Sequence, residues 1–291
     1  MKPALRWALL AFLALLAAAC TRLAYMNASL AYSQAAPLMA WTVDGYVDLT
    51  HEQKDWLHGR LDRAMAWHRA RELPEYRRFL ASIEERSGRA FTDEEVARAW
   101  AELREDYRRM VEHVLPDAAE FLASLDERQL ARMQRKFDDD DRRFVKESTR
   151  GTPAERQART AKKAIGHLEE WVGRLEDSQR ALVGEWARAL PPLVEERLAD
   201  RRYRQSEALA LARTRDRARI AAGLHRLLLQ TQSWRRPELR EKLAARERST
   251  LHMIAALSAT LTPAQRAHLQ RRLRGYMQDI TRLAASDRPA G

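Results

Sequence analysis

Cysteine is nearly absent from this 291-residue chain: only Cys20 occurs. One thiol excludes an intrachain disulfide and any zinc or iron–sulfur site built on several cysteines. Glycine and proline are scarce, ten of each. That is too little punctuation for a many-stranded β fold, and too little glycine for a phosphate-cradling loop. The Gly-x-Ser-x-Gly elbow, the His-Glu-x-x-His zinc pattern and the spaced aspartates of an EF-hand loop are all missing. What is present is a chain with 45% apolar and 32% charged residues, enough to bury a core and too apolar to be disordered. Its 52 Lys+Arg against 41 Asp+Glu give a net charge of +11.

The first twenty residues are organised differently from the rest. Lys2 and Arg6 precede an uncharged apolar run, Trp7 to Ala19, that ends in Ala17-Ala18-Ala19-Cys20. A basic start, a short apolar stretch and small residues before a cut describe an export signal. As a helix the run spans about 20 Å, short of the roughly 30 Å hydrocarbon core, so it reads as a signal and not as a permanent span. Leu16-Ala17-Ala18-Ala19-Cys20 resembles a bacterial lipobox, with Ala17 where leucine is commonest. The resemblance implies cleavage before Cys20 and acylation of its thiol, a durable anchor at about 0.8 kcal/mol per buried methylene. Thr21, by resemblance to known lipoproteins, fits outer-membrane sorting in a Gram-negative envelope. Removing residues 1–19, which hold two basic side chains and no acid, leaves 272 residues at +9.

From Thr50 onward the apolar residues repeat at helical spacing. Leu57, Leu61, Ala64, Met65 and His68 form one stripe; Ile220, Leu224, Leu227 and Leu228 another; Leu269, Leu273, Tyr276, Met277, Ile280 and Leu283 a third. No period-2 alternation stands out. Breaks are expected at Leu73-Pro74, Ser87-Gly88, 149–153, Pro191-Pro192 and Arg236-Pro237, and Pro116 should kink or end its helix. Thr50/Gln53, Thr92/Glu95, Thr152/Glu155 and Thr262/Gln265 have the spacing of capping boxes, with Asp126/Gln129 a weaker version. The expected fold is all-α, an elongated or curved array of eight to ten helices.

One frame recurs four times: Leu49/Gln53/Leu57, Leu125/Gln129/Met133, Leu175/Gln179/Val183 and Leu261/Gln265/Leu269. The pairs are separated by 76 and 86 residues, with the Gly151-Thr152-Pro153 break between them, which suggests two similar helical halves. The expected division is a signal at 1–19, a lipidated tether and anchoring segment at 20–45, helical halves at 46–150 and 151–285, and a tail at 286–291. Thr50-x-x-Gln53 and Thr262-x-x-Gln265 are similar to the Leu-Thr-x-x-Gln motif of small helical periplasmic proteins of the Spy and CpxP type. Glu176 and Asp126 depart from it where threonine would stand. A broader pattern comprises Leu23-x-Tyr25-x-Asn27, Trp41-x-x-Asp44-x-Tyr46-Val47-Asp48-Leu49 and Trp67-His68-Arg69-x-x-Glu72-Leu73-Pro74-x-Tyr76. It resembles a family of uncharacterised proteobacterial lipoproteins. That resemblance implies lipidation and a helical fold, and supplies no catalytic residue.

Candidate interaction residues are Trp41, Asp44, Tyr46, Trp67, His68, Arg69, Glu72 and Tyr76. His68 and Glu72, four residues apart, have the spacing of a base and its partner or of two metal ligands. They read more readily as a helix-terminal ion pair beside a Trp/Tyr cluster, ahead of a proline that ends the helix. Trp41, Tyr46 and Trp67 are expected to pack the start of the bundle. Asp138 to Asp141, four acids in a row, read as a solvated face, since consecutive helical residues point around the cylinder. Arg201, Arg202, Arg204, Arg213, Arg215, Arg217 and Arg219 against two acids make a local +5. This is a candidate basic patch for anionic lipid or an acidic envelope polymer, though a solvated face is the simpler reading. The expected protein is a non-enzymatic envelope interaction or chaperone-like lipoprotein facing the periplasm. It needs no cofactor or metal, contacts the membrane through its lipid, and leaves nucleic acid aside. A cell-wall hydrolase and a purely structural scaffold are the rival readings.

Overall fold

The computed structural model describes residue 32 and residues 34–285. Cys20 and the tail at 286–291 lie outside the described residues. The described chain is helical, with no strand. Its helices are α1 (Ala35–Val47), α2 (His51–Trp67), α3 (Leu73–Arg86), α4 (Asp93–Ala123), α5 (Glu127–Thr149) and α6 (Pro153–Val172). They continue with α7 (Asp177–Ala189), α8 (Val194–Thr214), α9 (Arg217–Leu229), α10 (Pro237–Ala259) and α11 (Pro263–Ala285). Two prolines behave differently from expectation. Pro74 does not end its helix: a π turn at His68–Glu72 carries the chain from α2 straight into α3. The wider turn opens the helix just ahead of a residue that has no N–H and whose ring crowds the carbonyl four residues back. Pro116 lies inside the 31-residue α4. The helix continues through it because Val111, Ala119 and Leu122 are buried on both sides.

The four Leu/Gln frames are the organising feature. Each is a tight loop between two helices, with its leucine buried and its glutamine at the third helical position. Each glutamine Oε1 accepts the N–H of its own cap residue: Thr50 at 3.1 Å, Asp126 at 3.1 Å, Glu176 at 2.9 Å and Thr262 at 3.0 Å. The glutamines then meet in pairs. Gln53 Nε2 donates to Gln129 Oε1 (3.2 Å) and Gln129 Nε2 donates back to Gln53 Oε1 (2.7 Å). Gln179 and Gln265 do the same at 2.9 and 2.8 Å. The remaining amide protons reach loop carbonyls: Gln129 to Asp48 (3.3 Å), Gln179 to Thr260 (3.0 Å) and Gln265 to Arg174 (2.9 Å). Asp48 presents its carbonyl from the left-handed conformation (φ 60°) at the end of α1. Gly173 takes the corresponding turn (φ 78°) at the end of α6.

Each glutamine pair lies in its own compact unit. Unit 1 comprises residues up to 70, 105–145 and 195–235; unit 2 comprises 71–104, 146–194 and 236 onward. This division differs from consecutive halves at 46–150 and 151–285. The two glutamine pairs do follow the halves, but between the members of each pair one segment, 71–104 in the first and 195–235 in the second, belongs to the other unit. α3 and the start of α4 pack in unit 2, and α8 and α9 pack in unit 1. The helix order is the same in both halves: a helix, a glutamine-capped helix, an exchanged pair, a helix, a glutamine-capped helix. In the first half the second exchanged helix is fused to its successor in α4. In the second the two are separated by the turn at Thr231–Ser233 and by Pro237, a good first residue for α10.

Unit 1 buries Val47, Leu61, Leu122, Leu125 and Leu130 together with Leu209, Ala212 and Ile220 from the exchanged helices. Unit 2 buries Val172, Leu175, Val183, Leu257 and Leu273, against which Leu80, Ile83 and Phe91 of the exchanged segment pack. Phe91 N–H donates to the Ser258 hydroxyl (2.8 Å), and Arg266 donates to the Arg89 carbonyl (2.6 Å), fixing that segment onto α10 and α11.

Gln129, 1% exposed, is in contact with no solvent that could replace its partners. The substitution Gln129→Leu strands the Asp126 N–H, the Asp48 carbonyl and one side of Gln53, and is expected to cost about 2–3 kcal/mol in urea denaturation. The exposed Gln134→Leu in the same helix should stay within about 0.5 kcal/mol.

Candidate functional site

Four helices of unit 1 leave an apolar cavity between them. Val43 and Val47 of α1, Leu57 of α2, Ala118 and Phe121 of α4, and Phe137 of α5 line it. It leaves ≈ 110 Å³ to the centres of water-sized molecules. Its charged lining is Arg60 and Asp117, which neutralise each other: the guanidinium lies 2.9 Å from Asp117, and 3.1 Å from Glu120 beyond it. Trp56 stacks on Phe121 (centroids 6.1 Å, 19°), with Arg60 4.9 Å above the indole. A partly open cavity with such walls is suited to apolar matter, and the Tyr46 ring also lines it.

Beside it lies a polar cluster built on two of the four consecutive aspartates, whose charge suggests a solvated face. Asp138 and Asp139 are exposed, but Asp140 and Asp141 are buried. The Tyr46 hydroxyl donates to Asp140, and burial, reinforced by that carboxylate, raises the phenol's pKa so that it stays a donor. Asp141 accepts from Arg201 (3.0 Å) and Gln205 (3.2 Å), with Arg202 at 3.5 Å. Arg143 stands 3.8 Å from Asp140. The correction has a readable cause: Leu130, Met133, Phe137 and Asp140/Asp141 are one helical stripe, so phase alone carries the last two acids onto the buried face.

Carboxylates of this cluster and of neighbouring helices absorb much of the candidate basic patch. Arg201 and Arg202 face Asp141, Arg204 faces Asp200 (2.9 Å), Arg213 faces Glu127 (3.8 Å) and Arg217 faces Glu120 (3.6 Å). Burial lowers the Arg204 pKa, with Asp200 opposing. Arg215, in a left-handed turn (φ 54°), and Arg219 are exposed.

The N-terminal candidates separate. Tyr46 is buried, while Trp41 is 62% exposed and does not pack the start of the bundle. Asp44 accepts the Leu49 N–H (2.8 Å) and lies 3.3 Å from Lys54. Trp67 stacks on His113 at 3.8 Å. His68 is buried, its Nδ1 2.8 Å from the Tyr32 hydroxyl, and Arg69 lies 5.8 Å over the Tyr32 ring. Glu72 is buried and Tyr76 half-buried, both in unit 2, whereas Trp67, His68 and Arg69 belong to unit 1. The void beside His68 leaves only ≈ 10 Å³ to water centres. Among the described residues no cluster of three or more His, Cys, Asp or Glu is placed to hold a metal ion. No described helix is long and apolar enough to cross a membrane.

Fold and cavity define an all-α protein of two glutamine-locked helical units, one of which encloses an apolar site. Residues 45–240 match a family of unknown function, DUF6279, and the chain belongs to that family. No curated protein and no solved structure matches it.

Burial, with Arg69 adding to it, lowers the His68 pKa from 6.5 to about 4, so the folded protein holds a neutral imidazole. Between these values the unfolded chain binds the proton and the folded one does not. Stability is therefore full above about pH 6.5 and declines as the pH falls toward 4, by on the order of 3 kcal/mol in total. Urea midpoints measured across this window should show the decline, and His68→Asn should flatten it.

Proposed function

We propose that this protein is a lipid-anchored lipoprotein of a Gram-negative envelope, tethered through Cys20 to the outer membrane and facing the periplasm. In this reading it is a non-enzymatic interaction protein of the chaperone-like kind. The unit 1 cavity receives an apolar side chain of an unfolded client. The observation that carries the reading is the cavity itself, lined mainly by aliphatic and aromatic side chains, with Arg60 and Asp117 paired to each other at 2.9 Å and the Tyr46 hydroxyl taken by Asp140. Two sequence features support it. The Leu16-Ala17-Ala18-Ala19-Cys20 stretch has the form of a lipobox. Thr50-x-x-Gln53 and Thr262-x-x-Gln265 are similar to the Leu-Thr-x-x-Gln motif of helical periplasmic proteins of the Spy and CpxP type, and here they serve as helix caps.

The two charged groups in its lining, Arg60 and Asp117, are paired to each other, so recognition rests on apolar contact and is tolerant of client sequence. The purified chain at equimolar ratio should slow the light scattering of reduced, unfolding α-lactalbumin. Ala118→Trp, which fills the cavity, should remove most of that effect while leaving the far-ultraviolet circular dichroism unchanged. Equal suppression by the filled variant, or none by the parent, contradicts the reading.

A further inference from the structure

α1 is apolar on both of its faces. Inward it buries Ala35, Met39, Ala40, Tyr46 and Val47. Outward it presents Pro37, Leu38 and Trp41, with Leu38 48% and Trp41 62% exposed. Four large apolar side chains stand exposed among the described residues: Trp100 and Leu103, one turn apart on α4, and the more exposed Leu38 and Trp41, one turn apart on this short helix. No charged residue occurs between Arg22 and Asp44. The acids at the far end are already engaged: Asp44 by Lys54 and the Leu49 N–H, Asp48 by Arg128 at 2.8 Å. A helix that is apolar all round has an apolar neighbour on each side. The inner neighbour is the core of unit 1.

We infer that the outer neighbour is the surface of a phospholipid bilayer, with α1 lying at the boundary between headgroups and acyl chains and Trp41 as its anchor. The helix has 13 residues, about 20 Å, too short to span a roughly 30 Å core but suited to lying along its edge. Indole rings concentrate at that depth because they combine a large apolar body with one N–H donor. The inference rests on the lipid anchor at Cys20. Fourteen residues, Thr21 to Gln34, separate that cysteine from α1, a reach of at most about 50 Å. Such a tether holds α1 at high local concentration beside the lipid, so even a small apolar face is enough for contact. The outer face of α1 then fixes the orientation that a lipid chain alone leaves free, while its inner face walls the cavity with Val43 and Val47.

The single cysteine makes the test direct. In the lipidated chain its sulfur is consumed, so an introduced cysteine is the only thiol. Leu38→Cys and Trp41→Cys, with Glu127→Cys as an exposed reference, are labelled with a nitrobenzoxadiazole fluorophore. The full chains are reconstituted in phosphatidylethanolamine/phosphatidylglycerol vesicles containing headgroup-level nitroxide lipid. Labels at 38 and 41 are expected to shift to the blue and to be quenched several-fold more than the label at 127. Equal, water-like emission at all three positions, in a chain whose parent takes no label, overturns the inference while leaving the anchor intact. If the parent itself takes label at Cys20, the anchor reading fails. The same variants are then added to vesicles in a Cys20→Ser background, where a blue shift at 41 still upholds the face and its absence overturns it.

Discussion

The structure depends on a hydrogen-bonded pair of glutamine side chains, made twice. A glutamine at the third helical position caps its own helix with its oxygen and still has two amide protons to donate. Two such helix starts brought together satisfy each other reciprocally, and the leftover protons take loop carbonyls. A buried amide left without partners costs the desolvation of that group, so the arrangement is stable only when both members are present. Glutamate performs the capping and cannot perform the pairing. The two boxes that carry glutamate behave accordingly: Glu95 is held by Arg89 at 2.6 Å, and Glu155 is exposed. Pairing brings together helix starts 76 and 86 residues apart and leaves the intervening helices to exchange between the units.

Much of this was readable from the residues, and what was not has physical causes. The all-α class follows from 3.6-residue periodicity, and five cap positions from Thr or Asp with Gln or Glu three residues on. Glu176 also caps with Gln179, although glutamate is a poor cap residue, because the buried pair with Gln265 fixes the geometry. The identity of the third residue, glutamine or glutamate, distinguishes paired from unpaired helix starts, and that signal lay in the sequence. The exchange of 71–104 and 195–235 did not, since nothing local in an amphipathic helix states which core it joins. Asp140 and Asp141 are buried against the expectation from charge because helical phase carries them onto the face of Leu130, Met133 and Phe137. Trp41 does not join the bundle because it stands on the opposite face of α1 from Met39, Tyr46 and Val47, and its amphipathic ring suits a boundary as well as a core.

Charge is handled in the same economical way. The chain is strongly basic, yet five arginines of its densest cluster face its own carboxylates, some of them buried. Among what unit 1 offers to other molecules are apolar surfaces: the cavity, and Leu38 and Trp41 on α1. α1 serves both, with one face toward the site and the other away from it. Under the proposed anchoring at Cys20, an apolar cavity held beside the membrane is suited to capture what passes near it.

The most direct measurement of the glutamine lock is a double-mutant cycle with Gln→Met at both members of each pair, read by urea denaturation. Gln53/Gln129 and Gln179/Gln265 are each expected to show a coupling of about 1–3 kcal/mol, because the second substitution removes a group the first has already stranded. The mixed pair Gln53/Gln265, whose members share no bond, should add to within about 0.5 kcal/mol. Simple additivity within both true pairs would contradict the lock.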